Sequence, residues 1–384
     1  MKRILINFVT LGRNGIDIPR LSKFKAFDSL GCELDLFSGT FIRRINLADK
    51  DVYTFNETIP ELKSYPEIKW TKMKFMFYSL KMNVRGLFFV RRILRSHYDV
   101  IYSPASVLDL VIIPYIIKLF DKKIIWTSVL DNVVPFTDSG NKFTRFLAWL
   151  FFRISLCLLR KADVIFVVSE ELREFLLKSG FLEKKIVLSG NGVENDLIKI
   201  AKAESQYDID ALFMGRINET KGIFDMLKVL GLVKKKYPCF QLAVLGEGDE
   251  NTEKKFEKKA RQMNLWDNVQ FLGFKIGLEK FNIIKSSKCF WFLSMKESFG
   301  VALLEAVCSG IPAFAYDLPQ FAWLYSNGEV NISPIGDYQS VARKVLELFE
   351  SGNFRNEKGE KLLGKYSWEK IAETEYGEIQ KILR

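Results

Sequence analysis

The chain has 384 residues, 48% hydrophobic and 27% charged, with a formal net charge of +11 and five cysteines. That length exceeds one ordinary domain and suits two of roughly 150 to 200 residues, while the composition excludes a disordered or fibrous chain. The cysteines (Cys32, Cys157, Cys239, Cys289, Cys308) are odd in number, scattered and without a CxxC pair; no disulfide framework or zinc site is implied, and a reducing cytosol is the expected compartment.

Met1-Lys2-Arg3 followed by Ile4–Leu11 imitates a signal peptide, but it lacks a small-residue cleavage site and runs into Gly12-Arg13-Asn14-Gly15. A first strand and a glycine-containing loop are expected instead. Ile4–Val9, Glu33–Phe37, Val100–Tyr102, Ile124–Ser128, Val164–Val168 and Ile186–Leu188 read as short strands separated by helical patterns, which predicts parallel βαβ units in one doubly wound sheet. The strongly apolar runs Val107–Phe120 and Phe146–Leu159 are interrupted by Asp109, Lys118 and Arg153 and fall short of the roughly 18 to 20 apolar residues of a membrane span, so both read as buried helices.

Charge is unevenly placed. Residues 1–190 hold 30 Lys+Arg against 19 Asp+Glu, and residues 191–384 hold 27 against 27. Within Leu62–Tyr98, nine bases (Lys63, Lys69, Lys72, Lys74, Lys81, Arg85, Arg91, Arg92, Arg95) face a single acid, Glu67, and are interleaved with Trp70, Phe75, Phe77, Tyr78, Phe88 and Phe89. A basic, aromatic-rich amphipathic segment suits an anionic membrane surface. A solvated helix face over an ordinary core gives the same pattern. No nucleic-acid-binding motif accompanies the charge, and nucleic acid is not an expected partner.

Ser189-Gly190-Asn191-Gly192-Val193 and the polar stretch to Asp208 mark the expected connection between domains, placed at 189–207. Beyond it, Ala211–Met214, Phe240–Leu245, Val269–Leu272, Cys289–Leu293 and Ala313–Tyr316 predict a second parallel sheet, over residues 208–366. Open sheets of this kind bind ligands at the carboxyl ends of their strands, and the cleft between two such domains is the expected site.

Four segments of the second half carry chemistry. Gly215-Arg216-Ile217-Asn218-Glu219-Thr220-Lys221-Gly222 follows a strand, and Arg216 and Lys221 bring two cations within reach of one diphosphate. Taken alone, such a string also fits a surface turn. Val244-Leu245-Gly246-Glu247-Gly248 and Phe271-Leu272-Gly273-Phe274 place glycines at strand ends. From Glu297 to Glu305 (ESFGVALLE), two carboxylates bracket an apolar run. Eight helical residues advance about 12 Å, comparable to the span of a sugar, a diphosphate and a ribose, and N–H groups around Phe299, Gly300 and Val301 would meet the anionic middle of such a ligand. Paired surface glutamates on an amphipathic helix are the plainer reading.

In this order the segments resemble the retaining glycosyltransferases of family 4 (glycosyl transferases group 1), whose E-x7-E motif corresponds to Glu297 and Glu305. Ser169-Glu170 and Asn191-Gly192-Val193 match further landmarks of that family. The resemblance implies a GT-B fold: two Rossmann-like domains, residues 1–188 binding the acceptor and completed by a final helix over 367–384, and residues 208–366 binding the nucleotide-sugar.

The same resemblance implies that Arg216 and Lys221 stabilise the leaving diphosphate and that Glu297 contacts donor-sugar hydroxyls. It assigns the ribose hydroxyls to Glu305, the diphosphate or sugar to Ser298, Phe299, Gly300 and Val301, and room beside the nucleotide to Gly246 and Gly248. Gly273 and Phe274 would line the base pocket, and Gly12 and Gly15 would let the first domain close on donor or acceptor, although this loop departs from the usual paired-glycine form.

The family commonly keeps a histidine after the fourth strand. Here the stretch runs Trp126-Thr127-Ser128-Val129-Leu130-Asp131-Asn132, and Leu130 or Asp131 takes that place; Asp131 is the candidate to accept a hydrogen bond from the sugar or acceptor, or to cap the next turn. The only histidine, His97, reads as a loop residue. Asp208-Ile209-Asp210 imitates a DxD metal motif, but the resemblance assigns the cation role to side chains, so neither a metal nor another cofactor is expected.

The reading is a retaining transfer from a nucleoside-diphosphate sugar to a glycan hydroxyl, lipid-linked or soluble. The protein is expected in the cytoplasm, held peripherally on the membrane. A nucleotide-sugar epimerase on the same fold stays open, although it would call for histidine in the cleft. An inactive sugar-nucleotide-binding protein also stays open, although it would be expected to lose Glu297, Arg216 or Lys221.

Overall fold

The computed structural model describes residues 2–8, 18–47, 72–134 and 142–383, which fall into two units: Met1–Gly192 with Trp368–Arg384, and Val193–Ser367. Gly12, Gly15, Lys63, Lys69 and Trp70 lie outside the described residues. So do the side chains of Lys72 and Lys74, although their backbone is helical.

Unit 1 carries a seven-stranded sheet of β1 (Arg3–Asn7), β2 (Glu33–Phe37), β3 (Ile42–Ile45), β4 (Val100–Ser103), β5 (Ile125–Leu130), β6 (Val164–Val167) and β7 (Ile186–Leu188) in the order β3-β2-β1-β4-β5-β6-β7. Every residue of β4, β5 and β6 is buried, as expected of parallel strands covered by helices on both faces, and this is why they read as largely apolar runs. The edge strand β3 was not anticipated. It is antiparallel to β2, and its Arg44 pairs with Asp35 at 2.5 Å and Glu33 at 2.7 Å. Charged side chains on an edge strand also discourage pairing with another chain.

Three helices contribute to the packing of this unit, Lys72–Arg95, Leu108–Phe120 and Lys142–Leu159. The first two share a core of Met82, Val90, Ile93, Ile113 and Ile117. Gly86 permits the approach, since a Cβ there would come within 3.3 Å of Ile113 and Phe37. Among the described residues no helix is long and apolar enough to cross a membrane. His97 is exposed, with a positive φ of 51°, in the turn before β4.

The final helix, Trp368–Leu383, packs on the Ile18–Ser29 helix. Lys23 Nζ lies 3.0 Å from Glu375 Oε1, with side chains 6% and 0% exposed. The Tyr102 hydroxyl donates to the other carboxylate oxygen at 2.5 Å, and the Phe27 and Tyr376 rings meet edge-on at 6.2 Å.

Unit 2 has six parallel strands, β8 (Ile209–Met214), β9 (Leu242–Leu245), β10 (Val269–Gly273), β11 (Ser287–Phe292), β12 (Ala313–Tyr316) and β13 (Asn331–Ser333), ordered β10-β9-β8-β11-β12-β13. The chain runs outward one way from β8 and returns to its other side with β11, so the topological switch lies between these two strands. Phe213, Leu227, Leu230, Phe240 and Trp291 are among the residues of its core.

The stretch expected as a linker, 189–207, is divided differently. Residues up to Gly192 belong with unit 1 and those from Val193 with unit 2. A helix, Asn195–Ile200, packs on the Gly277–Lys285 helix, and Glu204 N donates to Ser286 Oγ at 2.8 Å. Asn282 holds this segment too, its Oδ1 accepting from Lys202 N at 3.0 Å. These contacts tie the polar segment to a folded surface, whereas its composition alone resembles a connector. Asp210 of the DxD-like run is likewise structural. It sits on β8, 2.6 Å from Lys288 Nζ, and accepts from Gln241 N at 2.8 Å.

Candidate functional site

A cavity of about 360 Å³ opens at the carboxyl ends of β8 and β11, where an open parallel sheet leaves room for a ligand. Gly215 and Arg216 follow Met214 at the end of β8, Phe292 ends β11, and Lys221, Glu297, Gly300 and Val301 join them in the lining. Unit 2 thus brings together Arg216, Lys221, Glu297, Gly300 and Val301 from two segments about 80 residues apart in sequence.

Local geometry explains the convergence. After β8 the chain makes a short turn of 3-10 helix, Glu219–Lys221, capped by Asn218, whose side chain accepts from Lys221 N at 3.1 Å and from the Thr220 hydroxyl at 2.7 Å. Gly222 then takes a left-handed φ of 72° against β11's continuation, where a Cβ would lie 2.0 Å from the Leu293 carbonyl oxygen. Only glycine fits there. The Met295 N–H donates to the Thr220 carbonyl at 2.9 Å, fastening the two loops. As a result the Lys221 ammonium reaches the Glu297 carboxylate in an ion pair, with side chains 24% and 13% exposed. Gln320 donates to the Glu297 carbonyl at 3.1 Å. Arg216 is exposed, and it has no ion-pair or hydrogen-bond partner among the described residues.

The helix of the two-glutamate segment runs from Val301 to Cys308. Glu297 therefore lies in the preceding loop rather than on the helix, and the picture of one helix carrying both carboxylates is corrected: Gly300, at φ 88°, breaks the chain direction between them. The first helical turn, with N–H groups that precede the intrahelical ladder, begins at the cavity wall. Phe299 is a second correction. Its ring is 2% exposed and packs against Trp323 at 6.2 Å and Tyr366 at 6.3 Å, so it anchors the loop in the core and only its backbone can face a ligand. Ser298 is half-buried beside it.

Glu305 is inside, not at the cavity wall. It is 7% exposed, and Lys280 Nζ lies 2.8 Å from its Oε1 and 4.0 Å from Glu194 Oε2. Burial pushes the Glu305 carboxyl above its usual range, and the Lys280 ammonium pulls it back in part. Neither Lys280 nor Glu194 was singled out in the sequence; one lysine on a helix and one glutamate in a polar stretch carry no motif, and only the packing of Asn195–Ile200 on Gly277–Lys285 joins them.

The remaining expected residues line other ground. Gly246 and Gly248 follow β9 and stitch neighbouring strand ends: Gly246 N donates to the Gly273 carbonyl at 2.8 Å, and Gly248 bridges to Ile217. Space is tight at Gly246, where a Cβ would stand 2.1 Å from the Gly215 carbonyl oxygen. Gly273 closes β10, and Phe274 beyond it is 63% exposed. Asp131 follows β5 in unit 1, half-buried. Among the described residues no three His, Cys, Asp or Glu side chains group as metal ligands.

Residues 195–362 match the family of glycosyl transferases group 1. The phosphatidyl-myo-inositol mannosyltransferase of Mycobacterium leprae is 28% identical over 191 residues, which are 47% of this chain and 50% of that protein. The chain thus spans about half the length of the curated relatives it matches. HepE of Anabaena, solved with UDP and glucose, aligns over 99% of both chains with a TM-score of 0.71 at 14% identity. The lipopolysaccharide outer core galactosyltransferase WaaB aligns over 99% of both with a TM-score of 0.63 at 15% identity. Likeness at such identity speaks for the fold. Residues 195–362 are therefore a glycosyl transferases group 1 domain, carried in a chain with the GT-B fold.

Proposed function

We propose that the chain is a retaining glycosyltransferase that moves a sugar from a nucleoside diphosphate to a hydroxyl of a glycan. The observation that carries this reading is the meeting of Arg216, Lys221 and Glu297 at one cavity on the switch point of unit 2. As the bond from the sugar's anomeric carbon to the diphosphate oxygen breaks, its electron pair stays on the leaving phosphate. Fixed cations from Arg216 and Lys221 stabilise that growing charge more than they stabilise the ground state. The acceptor oxygen bonds to the same face of the anomeric carbon, and its proton passes to the departing phosphate, so configuration is kept without a protein nucleophile. No metal is needed for this scheme.

Glu297 serves the sugar hydroxyls and Glu305 the ribose, with Ser298, the Phe299 backbone, Gly300 and Val301 along the diphosphate. Gly246, Gly248, Gly273 and Phe274 border the nucleoside. Asp131 serves the acceptor. A lipid-linked glycan is the proposed acceptor, met on the cytoplasmic face of an anionic membrane during synthesis of cell-surface polysaccharide or lipopolysaccharide. The relative named for transfer to phosphatidyl-myo-inositol, the neighbour named for the lipopolysaccharide outer core and the neighbour solved with UDP and glucose support this direction.

The test is a panel of nucleotide-sugars read by thermal shift and by slow hydrolysis, with the anomeric configuration of the released sugar followed by NMR. Stabilisation by one nucleoside diphosphate and retention of configuration are expected. An inverted product would sink the mechanism, and quantitative epimerisation without acceptor would favour the epimerase.

A further inference from the structure

The outward face of the Lys72–Arg95 helix is not a solvated polar face. Phe77 is 62% exposed, Leu80 61%, Val84 50%, Leu87 45% and Phe88 83%. At about 100° per residue these five side chains fall within an arc of roughly 100°, opposite the buried Met82, Gly86, Val90 and Ile93. Exposed Lys81, Arg85 and Arg92 border the arc on one side, and Arg91 and Arg95 continue it at the helix end; the helix contains no acidic residue. A ridge of this kind leaves two phenylalanines and three aliphatic side chains in water, which soluble surfaces avoid in so contiguous an array.

The geometry points to a membrane-penetrating ridge: the apolar side chains of Phe77, Leu80, Val84, Leu87 and Phe88 enter the boundary between lipid headgroups and acyl chains, while the flanking bases bind anionic headgroups. The charge of the rim selects the occupant. A second copy of this chain would bring the same bases against themselves, whereas an anionic lipid surface neutralises them. Attraction by bases alone would vanish as salt screens it; a buried apolar ridge adds a part that salt does not remove. The inference rests on the membrane-borne acceptor proposed above but not on the donor site.

Flotation with vesicles of phosphatidylcholine, with and without phosphatidylglycerol, tests it at low and at high salt. Wild type is expected to float with the anionic vesicles and to keep part of that binding at high salt. The triple variant Phe77→Ser, Leu80→Ser, Phe88→Ser should lose about tenfold or more in partitioning and all of the salt-resistant part. Replacing Lys81, Arg85 and Arg92 by Gln should instead abolish the preference for anionic lipid. These positions are exposed, so folding should be kept, and UDP or GDP binding by the same variants reads the donor domain separately. A triple variant that floats like wild type overturns the inference. So does a wild-type dimer that the triple substitution converts to monomer without any change in flotation. Vesicle binding by a chain that recognises no nucleoside diphosphate would remove the donor reading and leave the ridge standing.

Discussion

Lys23 and Glu375 stand 352 residues apart in sequence and 3.0 Å apart in unit 1, in a pair almost sealed from solvent. Glu375 has the Tyr102 hydroxyl on its other oxygen, and the Lys23 ammonium lies over the Tyr102 and Trp368 rings at 5.4 and 5.9 Å. Removing one partner of a buried pair leaves an unpaired charge and typically costs about 3–5 kcal/mol. Lys23→Met or Glu375→Gln should therefore destabilise unit 1 by that order, while Lys23→Met with Glu375→Met should cost less than either. Urea unfolding followed by a probe in each unit checks this, and equal costs for single and double variants would contradict it.

Arg216→Ala and Lys221→Ala should each lower transfer about 100- to 1000-fold, the usual consequence of deleting one charge-stabilising group. Their effects on stability should differ. Arg216 is exposed and without a described partner, so its loss should stay within about 0.5 kcal/mol. Lys221→Ala leaves the largely buried Glu297 carboxylate without its cation, at about 1–3 kcal/mol. Single-turnover rates beside melting curves separate the two, and near-normal turnover in both variants would overturn the assignment.

Glu305 gives a pH signature. Its carboxyl lies above the ordinary range because it is buried, so between about pH 4.3 and its raised value the folded state holds a proton that the unfolded chain has released. Stability contributed by this group should fall as pH rises through that window. Nucleotide binding should run the other way, since the ionised carboxylate is the better acceptor for ribose hydroxyls. Lys280→Met removes the cation that lowers this pKa and should move the acid limb of nucleotide binding to higher pH, with Lys280→Arg closer to wild type. Calorimetric titrations across the acid range show the limb directly; an unmoved limb in the methionine variant would separate Lys280 from the site.

Gly222→Ala should be among the most damaging single-methyl changes in unit 2, because its Cβ would meet the Leu293 carbonyl at 2.0 Å in a left-handed conformation. Gly336→Ala is the control: φ is similarly positive, at 83°, yet nothing lies within 4 Å of a Cβ, so only the backbone cost of roughly 1–2 kcal/mol applies. Comparable melting temperatures for the two would deny that the β8 and β11 loops must approach so closely.

The two sheets were legible because their central strands are predominantly apolar, a pattern that needs no knowledge of neighbours. The strands β3 and β13 were not. Ile42–Ile45 has two arginines in four residues, one of which, Arg44, is paired by Asp35 opposite it and by Glu33, while Asn331–Ser333 is three residues long at a sheet edge. In the candidate site, Arg216, Lys221 and Glu297 were singled out by the family resemblance, since their spacing alone also fits a surface turn and a solvated helix face. The burial of Phe299 and the joining of Lys280 to Glu305 were not, since each depends on helices packed from elsewhere in unit 2.

Because the final helix belongs to unit 1, residues 193–367 are synthesised after the N-terminal sheet and before the helix that completes its unit. At roughly 5–20 residues per second, Lys23 waits about 20 to 70 s for Glu375 to be synthesised, with its seat in the Ile18–Ser29 helix still open to solvent. Unit 2, by contrast, is one uninterrupted stretch and has all its own strands in hand before the last helix exists. A chain truncated after Ser367 should thus keep a completed second unit and an N-terminal half that still shows an apolar flank to chaperones.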